Sequence, residues 1–265
     1  MHVSAASVLD VPLARTARSG RIRRARVTLG DGARTTVYVA AFHLRSTEVR
    51  VAVLPGQQRL ETYCARRGIQ DAVVGGFFTR PAGLPLGEVR TRGVARRHVP
   101  FEPPYDAERT CVHVEGGRVA IAPRSRLAAE PWGDLLQAGP LLVADGAAVY
   151  DRSLDPEGFS DGAAQFDSDI TDGRHPRAAL GIAGGRLLAV ACDGRSSEDA
   201  GLTLEELAGL LVQLGAATGL NLDGGGSTSL VVGGRLRNRP RRSFECAERG
   251  GRPVSTALLF LPRAV

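Results

Sequence analysis

The sequence predicts an α+β fold: a strand-rich mixed or antiparallel sheet with a few packed helices, in a single domain. Short Val-rich segments with partial alternation recur along the chain, separated by Gly-Gly and Asp-Gly turns. Only one segment, 203–215, carries a strong helical stripe. Strands and helices do not alternate in the rhythm a parallel βαβ sheet requires. The length of 265 residues suits one large domain.

Residues 1–24 form an Arg- and Ala-rich lead-in without a clear period, and the domain is expected over 25–265. Residues 35–44 and 48–54 read as a hairpin or two neighbouring strands. Residues 57–68 read as a short helix ending on Gly68. Residues 71–78 read as a buried strand broken by Gly75-Gly76. The Pro-, Gly- and Arg-rich stretch 79–110 predicts a long excursion with one strand near 87–94. Hairpins follow over 111–121 around Gly116-Gly117, over 141–149 around Asp145-Gly146, and over 178–190 around Gly184-Gly185. The polar stretch 151–176 reads as a loop. In the helix over 203–215, Leu204, Leu207, Ala208, Leu211 and Leu214 share one face, and Thr203 with Glu206 forms a capping box. Late strands are expected at 230–232 and 254–261.

The net charge is +6 with a pI near 9.7, and all 34 basic side chains are Arg. Arg keeps its charge and grips phosphate through a planar fork, a weak pointer to an anionic partner. Arg90, Arg92, Arg96, Arg97, His98 and the basic run 235–242 could form a nucleic-acid footprint, but aromatics are only 5% and no nucleic-acid motif is present, so nucleic acid is not the expected partner. No stretch approaches the 18 or so apolar residues of a membrane span; the nearest, 178–192, is interrupted by Arg186. The four cysteines, Cys64, Cys111, Cys192 and Cys246, lack CxxC spacing, so no zinc site is suggested. The apolar start is broken by Asp10 and Pro12, and Arg follows it instead of preceding it. A cytoplasmic chain with reduced thiols is the expectation, with secretion the alternative if the true start lies upstream.

The segment with the most chemistry is Asn221-Leu222-Asp223-Gly224-Gly225-Gly226-Ser227-Thr228. Three successive glycines lose much backbone entropy on folding. Proteins accept that where the chain turns sharply or where backbone must approach a ligand. Successive amides in such a turn form a nest suited to phosphate oxygens, Ser227 and Thr228 add hydroxyls, and Asp223 adds a carboxylate. The bland reading is a hairpin turn. Neither the Walker nor the dinucleotide pattern fits: there is no Lys and no GxGxxG. Asp193-Gly194-Arg195 offers a second carboxylate and a second guanidinium, His175-Pro176-Arg177 a third cation, and Arg252-Pro253 a fourth. Asp167, Asp169 and Asp172 have oxygen-ligand spacing for a divalent cation, without the Glu that closes a calcium loop. No cofactor is firmly implied.

In order along the chain, these segments resemble the phosphodiester glycosidase family. The matching stretches are Val74-Gly75-Gly76-Phe77-Phe78, Gln137-Ala138-Gly139-Pro140, Pro176-Arg177-Ala178-Ala179, Asp193-Gly194-Arg195, the Gly201-Leu202-Thr203-Leu204 helix start, the glycine segment, Asn238-Arg239-Pro240 and Arg252-Pro253-Val254. The family pattern has Asn where this chain has Val74 and Thr where it has Ala178, and the last turn here is longer and carries Cys246. The resemblance implies hydrolysis of a sugar-1-phosphodiester, a small molecule or a glycan, to free sugar and a phosphomonoester. On that reading Asp223 and Asp193 are the candidate base or nucleophile. Arg177, Arg195 and Arg252 hold phosphate with Asn221, Gly76, the amides of Gly224, Gly225, Gly226 and Ser227, and Thr228. The alternatives are a metal-dependent phosphodiesterase that breaks P–O and a non-catalytic phosphosugar-binding protein. The sequence leaves the oligomeric state open.

Overall fold

Pairing starts at the first residue that the computed structural model describes; the described residues are 21–159 and 170–263. Strand Arg21–Thr28 pairs antiparallel along its whole length with Arg34–His43, so the sheet reaches into the Arg-rich stretch expected as a lead-in. Its arginines alternate with apolar Ile22, Ala25 and Val27, an edge-strand pattern that the charge density hides in the sequence.

Three antiparallel sheets build the domain. The seven-stranded sheet runs Arg21–Thr28, Arg34–His43, Arg186–Cys192, Arg177–Ala183, Thr218–Asn221, Leu141–Ala144 and Ala147–Ala148. A five-stranded sheet runs Arg235–Leu236, Leu230–Val232, Ala72–Val74, Val254–Pro262 and Thr47–Gln58. The other five-stranded sheet runs Val94–Ala95, Val89–Thr91, Asp134–Gln137, Thr110–Glu115 and Arg118–Pro123.

Strand alternation explains the layering. On Arg177–Ala183 and Arg186–Cys192, Ala178, Leu180, Leu187, Ala189 and Ala191 face the five-stranded sheets, while Ala179, Leu188, Val190 and Cys192 face the helix Leu204–Gln213. Both faces are apolar, so these central strands read as nearly continuous hydrophobic runs. The helix lays Leu204, Leu207, Ala208 and Leu211 on the sheet. Thr203 Oγ1 accepts from the Glu206 amide at 3.1 Å, and Glu206 Oε2 accepts from the Thr203 amide at 2.9 Å, so the expected capping box forms. The Phe42 and Phe260 rings stack at 4.3 Å between the first two sheets.

The hairpins around Gly116-Gly117 and Gly184-Gly185 form as expected. Elsewhere the boundaries move. The strand expected to end at residue 54 continues to Gln58, and the helix after it starts at Leu60. The strand expected over 71–78 stops at Val74, because Gly75 and Gly76 leave the ladder. Strand Asp134–Gln137 went unanticipated: four buried residues are too short for a period. All four cysteines are unpaired, three of them buried, and no described helix is long and apolar enough to cross a membrane.

Candidate active site

Three strand ends meet at one point. Gly75 follows Ala72–Val74, Asp223 follows Thr218–Asn221, and Thr256 lies in Val254–Pro262. The Asp223 amide donates to Gly75 O at 3.0 Å, the Gly75 amide donates to Thr256 O at 2.9 Å, and the Gly76 amide donates to Thr256 Oγ1 at 3.0 Å. A Cβ on Gly75 would stand 2.4 Å from Thr256 Oγ1, and one on Gly76 2.7 Å from Gln137 O. Crowding between strands therefore accounts for this pair of glycines.

The glycine segment tightens into a short 3₁₀ turn over Gly225–Ser227. Gly225 has φ 59°, the left-handed region that other residues enter at a cost. A Cβ on Gly224 would lie 2.9 Å from Pro176 O; one on Gly226 would lie 3.0 Å from Arg252 Nη2. The amides of Gly224, Gly225 and Ser227 donate to Asp223 Oδ1 at 2.8 Å, Pro176 O at 2.8 Å and Gly224 O at 3.1 Å. The cradle of free amides expected from the sequence is thus mostly consumed in holding the turn. The hydroxyls and carbonyl-type oxygens are not consumed. Asn221 Oδ1, Asp223 Oδ2, Ser227 Oγ, Thr228 Oγ1 and Ser229 Oγ are all buried without a well-formed hydrogen bond among the described residues. Native structures leave few such atoms, and five in nine residues mark a place where water or a ligand belongs. Asn221 Nδ2 is used, donating to Gly139 O at 3.0 Å.

Two guanidinium groups face this turn. Arg252 lies over Gly226, and its own amide donates to Gly226 O at 2.9 Å. Arg195 reaches Gly225, with Nη1 3.0 Å from where a Cβ would be, and contacts His175 Nδ1 at 3.3 Å and the Arg242 carbonyl. Arg195 holds φ 57°, rare for a side chain of its size. Neither guanidinium makes an ion pair with a described carboxylate. Burial lowers the pKa of both, and Arg252 lowers that of Arg195 further. Two partly buried cations that feel each other, with Asp223 and Glu248 acting on Arg252 but no ion pair made to either, form a site that favours an added anion. Arg80 adds to the field and was not anticipated; a lone surface Arg gives no sequence signal.

Asp223 sits in that field. Burial pushes its carboxyl up to about 6, against the opposing pull of the Ser227 hydroxyl, Arg252 and the Gly224 amide. Asp193 has a different setting. Cys192 pairs with Arg177, and Ala179 pairs with Asn221. Asp193 and Asp223 therefore leave the same end of the sheet with one strand between them, roughly 10 Å apart at two interstrand spacings. Asp193 Oδ2 accepts from Tyr38 Oη at 3.0 Å and Oδ1 from the Arg239 amide at 2.6 Å. Burial pushes its carboxyl up to about 6 as well, with Asp199 adding to the rise.

Arg177 is not available to a ligand. Its guanidinium is buried and donates to Leu202 O at 3.1 Å, Ile170 O at 2.6 Å and Gly173 O at 3.2 Å. It fastens the loop before it to the helix start. Of the residues expected to bind a cation, Asp167 and Asp169 lie outside the described residues, and Asp172 pairs with Arg152 at 2.5 Å. Among the described residues no three His, Cys, Asp or Glu side chains cluster as metal ligands do.

A family model described as phosphodiester glycosidase matches residues 67–261 of this antiparallel three-sheet chain. The chain belongs to that family. Its fold is similar to the zebrafish N-acetylglucosamine-1-phosphodiester α-N-acetylglucosaminidase catalytic domain, auto-inhibited by its pro-peptide, with TM-score 0.70 and 21% identity over 92% of this chain and 83% of that one. It is also similar to a hypothetical protein from Synechocystis (TM-score 0.64, 20% identity, 92% of this chain and 62% of that one) and to a putative exported protein from Burkholderia pseudomallei (0.62, 19%, 87% and 74%). No curated protein matches by sequence.

Proposed function

We propose that this protein hydrolyses the glycosidic bond of a sugar-1-phosphodiester, releasing the free sugar and a phosphomonoester. The observation that carries the reading is the pairing of opposites at the glycine turn. Arg195 and Arg252 bring two guanidiniums there, Arg252 within the field of Asp223 and Glu248, and Asp223 presents a carboxylate whose pKa is pushed up to about 6. The guanidiniums suit the phosphodiester anion, and the family membership supports a glycosidic substrate.

In this mechanism water attacks the anomeric carbon, the bond from that carbon to the phosphate oxygen breaks, and the proton from water passes to Asp223. A carboxylate with a pKa near 6 is still ionised at neutral pH and is a better base than an ordinary Asp. The departing phosphomonoester gains negative charge, which Arg195 and Arg252 stabilise where it develops. Asp193, engaged by Tyr38 and the Arg239 amide, shapes the site beside the reaction instead of performing it.

Hydrolysis of a sugar-1-phosphodiester in ¹⁸O-water tests the reading. Label in the released sugar is the expected result. Label in the phosphate would mean P–O cleavage and would replace the glycosidase reading with a phosphodiesterase; no hydrolysis over a panel of such diesters would leave a binding protein.

A further inference from the structure

One short crossover carries the chain from a five-stranded sheet into the seven-stranded one. Strand Asp134–Gln137 ends, residues 138–140 span the gap, and strand Leu141–Ala144 begins. The crossover touches the candidate site at two points. Gln137 O stands 2.7 Å from where a Cβ on Gly76 would be. The Gly139 amide donates to Asn221 O at 3.1 Å, the Asn221 amide donates to Pro140 O at 2.9 Å, and Asn221 Nδ2 donates to Gly139 O at 3.0 Å. Asn221 lies two residues before Asp223, whose own amide is fixed on Gly75 O. Where the crossover lies therefore sets where the Asp223 carboxylate stands.

A single carboxylate holds the crossover. Glu157 is 6% exposed and takes no part in the reaction described above. Its Oε1 accepts from the Leu141 amide at 2.6 Å, and its Oε2 accepts from the Thr110 amide at 2.7 Å. Thr110 O in turn accepts from the Ala138 amide at 2.9 Å, so both ends of the crossover are tied to Glu157. Gly139 runs directly against it: φ there is 117°, and a Cβ would stand 2.7 Å from Glu157 Oε2. Arg109 fastens the backbone that carries the carboxylate. Its guanidinium is buried, lies 4.0 Å from the Phe101 ring centroid and 4.3 Å from that of Phe159, and donates to Glu157 O and Gly158 O, each at 2.9 Å.

Burying a carboxylate is unfavourable, and two charge-assisted hydrogen bonds to amides offset that here. A glutamine has one acceptor and would turn an NH2 group toward the other amide. An aspartate has both acceptors on an arm one methylene shorter. We propose that Glu157, held by Arg109, is the positioning residue of Asp223: it fixes the crossover, the crossover fixes Asn221, and Asn221 fixes the carboxylate that receives the proton. The catalytic consequence rests on the reading of Asp223 as the base; the mechanical link does not.

Three variants test the link. Glu157→Gln and Glu157→Asp each break it, and either suffices if the other does not fold. Leu207→Ala is the control: it opens a cavity under the helix, on the far face of the seven-stranded sheet. Well below each thermal midpoint, kcat of the Glu157 variants should fall about tenfold with KM held within about twofold, as for a displaced base. Leu207→Ala should keep kcat within about twofold although it is destabilised. A kcat retained in the Glu157 variants, or lost equally in Leu207→Ala, would overturn the proposal. Carboxyl ¹³C NMR on aspartate-labelled protein reads the Asp223 ionisation without turnover. Its midpoint, about 6, should move by about half a pH unit or more in the Glu157 variants and stay in place in Leu207→Ala. A midpoint unmoved in the Glu157 variants would break the mechanical link. A moved midpoint in a protein that hydrolyses no diester would uphold the link and remove the hydrolase reading alone.

Discussion

The Tyr38 hydroxyl donates to Asp193 Oδ2 at 3.0 Å, while Asp223 Oδ2 makes no well-formed hydrogen bond among the described residues and has only the nearby Ser227 hydroxyl beside it. Two aspartates with similarly raised pKa values thus differ in what they are free to do. Replacing Asp223 with Asn should lower kcat at least about a hundredfold, the scale of a lost general base. Asp193→Asn should act mainly on KM, since its carboxylate is taken up by Tyr38 and the Arg239 amide beside the reaction. Steady-state kinetics on both variants separates the roles, and an equal loss of kcat in the two would return Asp193 to the chemistry.

The same carboxyl sets a pH dependence. If Asp223 acts as the base, kcat should rise with pH through about 6, where burial has moved its ionisation, and level off above. The profile of kcat against pH checks this. A rise centred near 4 would show that Asp223 is not the group being titrated.

The arginines divide into two kinds. Among the described residues Arg177 makes no ion pair; it satisfies three backbone carbonyls from a buried position. Arg177→Met should leave those acceptors stranded and destabilise the fold by several kcal/mol, at about 1–3 kcal/mol for each buried group. Arg252→Lys removes the planar fork but keeps the charge, and should raise KM with little change in thermal midpoint. Thermal unfolding beside kinetics distinguishes the two; a destabilised Arg252→Lys would make that residue structural too.

What the sequence showed and what it hid follow from the range of the interactions. The helix at Leu204–Gln213 was legible because stripe and capping box are local. The glycine segment was legible as a site because three glycines in a row need a reason, and the structure supplies one for each: close approach to Pro176 O, a left-handed φ, and close approach to Arg252. The strand Arg21–Thr28 was hidden by arginines that only an edge position explains. The assignment of Arg177 to phosphate could not be checked from sequence, because the carbonyls it meets belong to residues 170, 173 and 202. Tyr38 was silent for the same reason: its partner lies 155 positions away.

Gly226 offers a geometric test of the anion site. A methyl group there would come within 3.0 Å of Arg252 Nη2 and 3.2 Å of the Glu248 side chain, the flexible ends of two long residues. Gly226→Ala should therefore fold and move Arg252, lowering kcat/KM about tenfold while the thermal midpoint stays within a few degrees. Gly225→Ala should instead cost about 1–2 kcal/mol through its left-handed backbone. Equal effects of the two variants on stability would mean that the loop yields as a unit and that Arg252 does not depend on the space at Gly226.

Glu157 provides the last prediction. It is buried, its carboxylate accepts from the Thr110 amide at 2.7 Å and the Leu141 amide at 2.6 Å, and it holds Pro140 and Asn221 in place through the strand that begins at Leu141. Burial pushes its carboxyl up to about 7, against those two amides and nearby Arg109. The unfolded chain releases this proton near 4.5, so between about 4.5 and 7 the folded state binds the proton more tightly, and raising the pH through that window costs stability. Above 7 both states are ionised and the penalty is constant. Glu157→Gln cannot titrate. Its stability relative to the wild type should therefore improve as pH rises from about 4.5 to 7, even though its single carbonyl oxygen cannot serve both amides. Chemical denaturation of the two proteins at several pH values measures the difference directly. A gap that stays constant across the window would mean that Glu157 ionises in the fold as it does in the open chain, and that the two amides outweigh its burial.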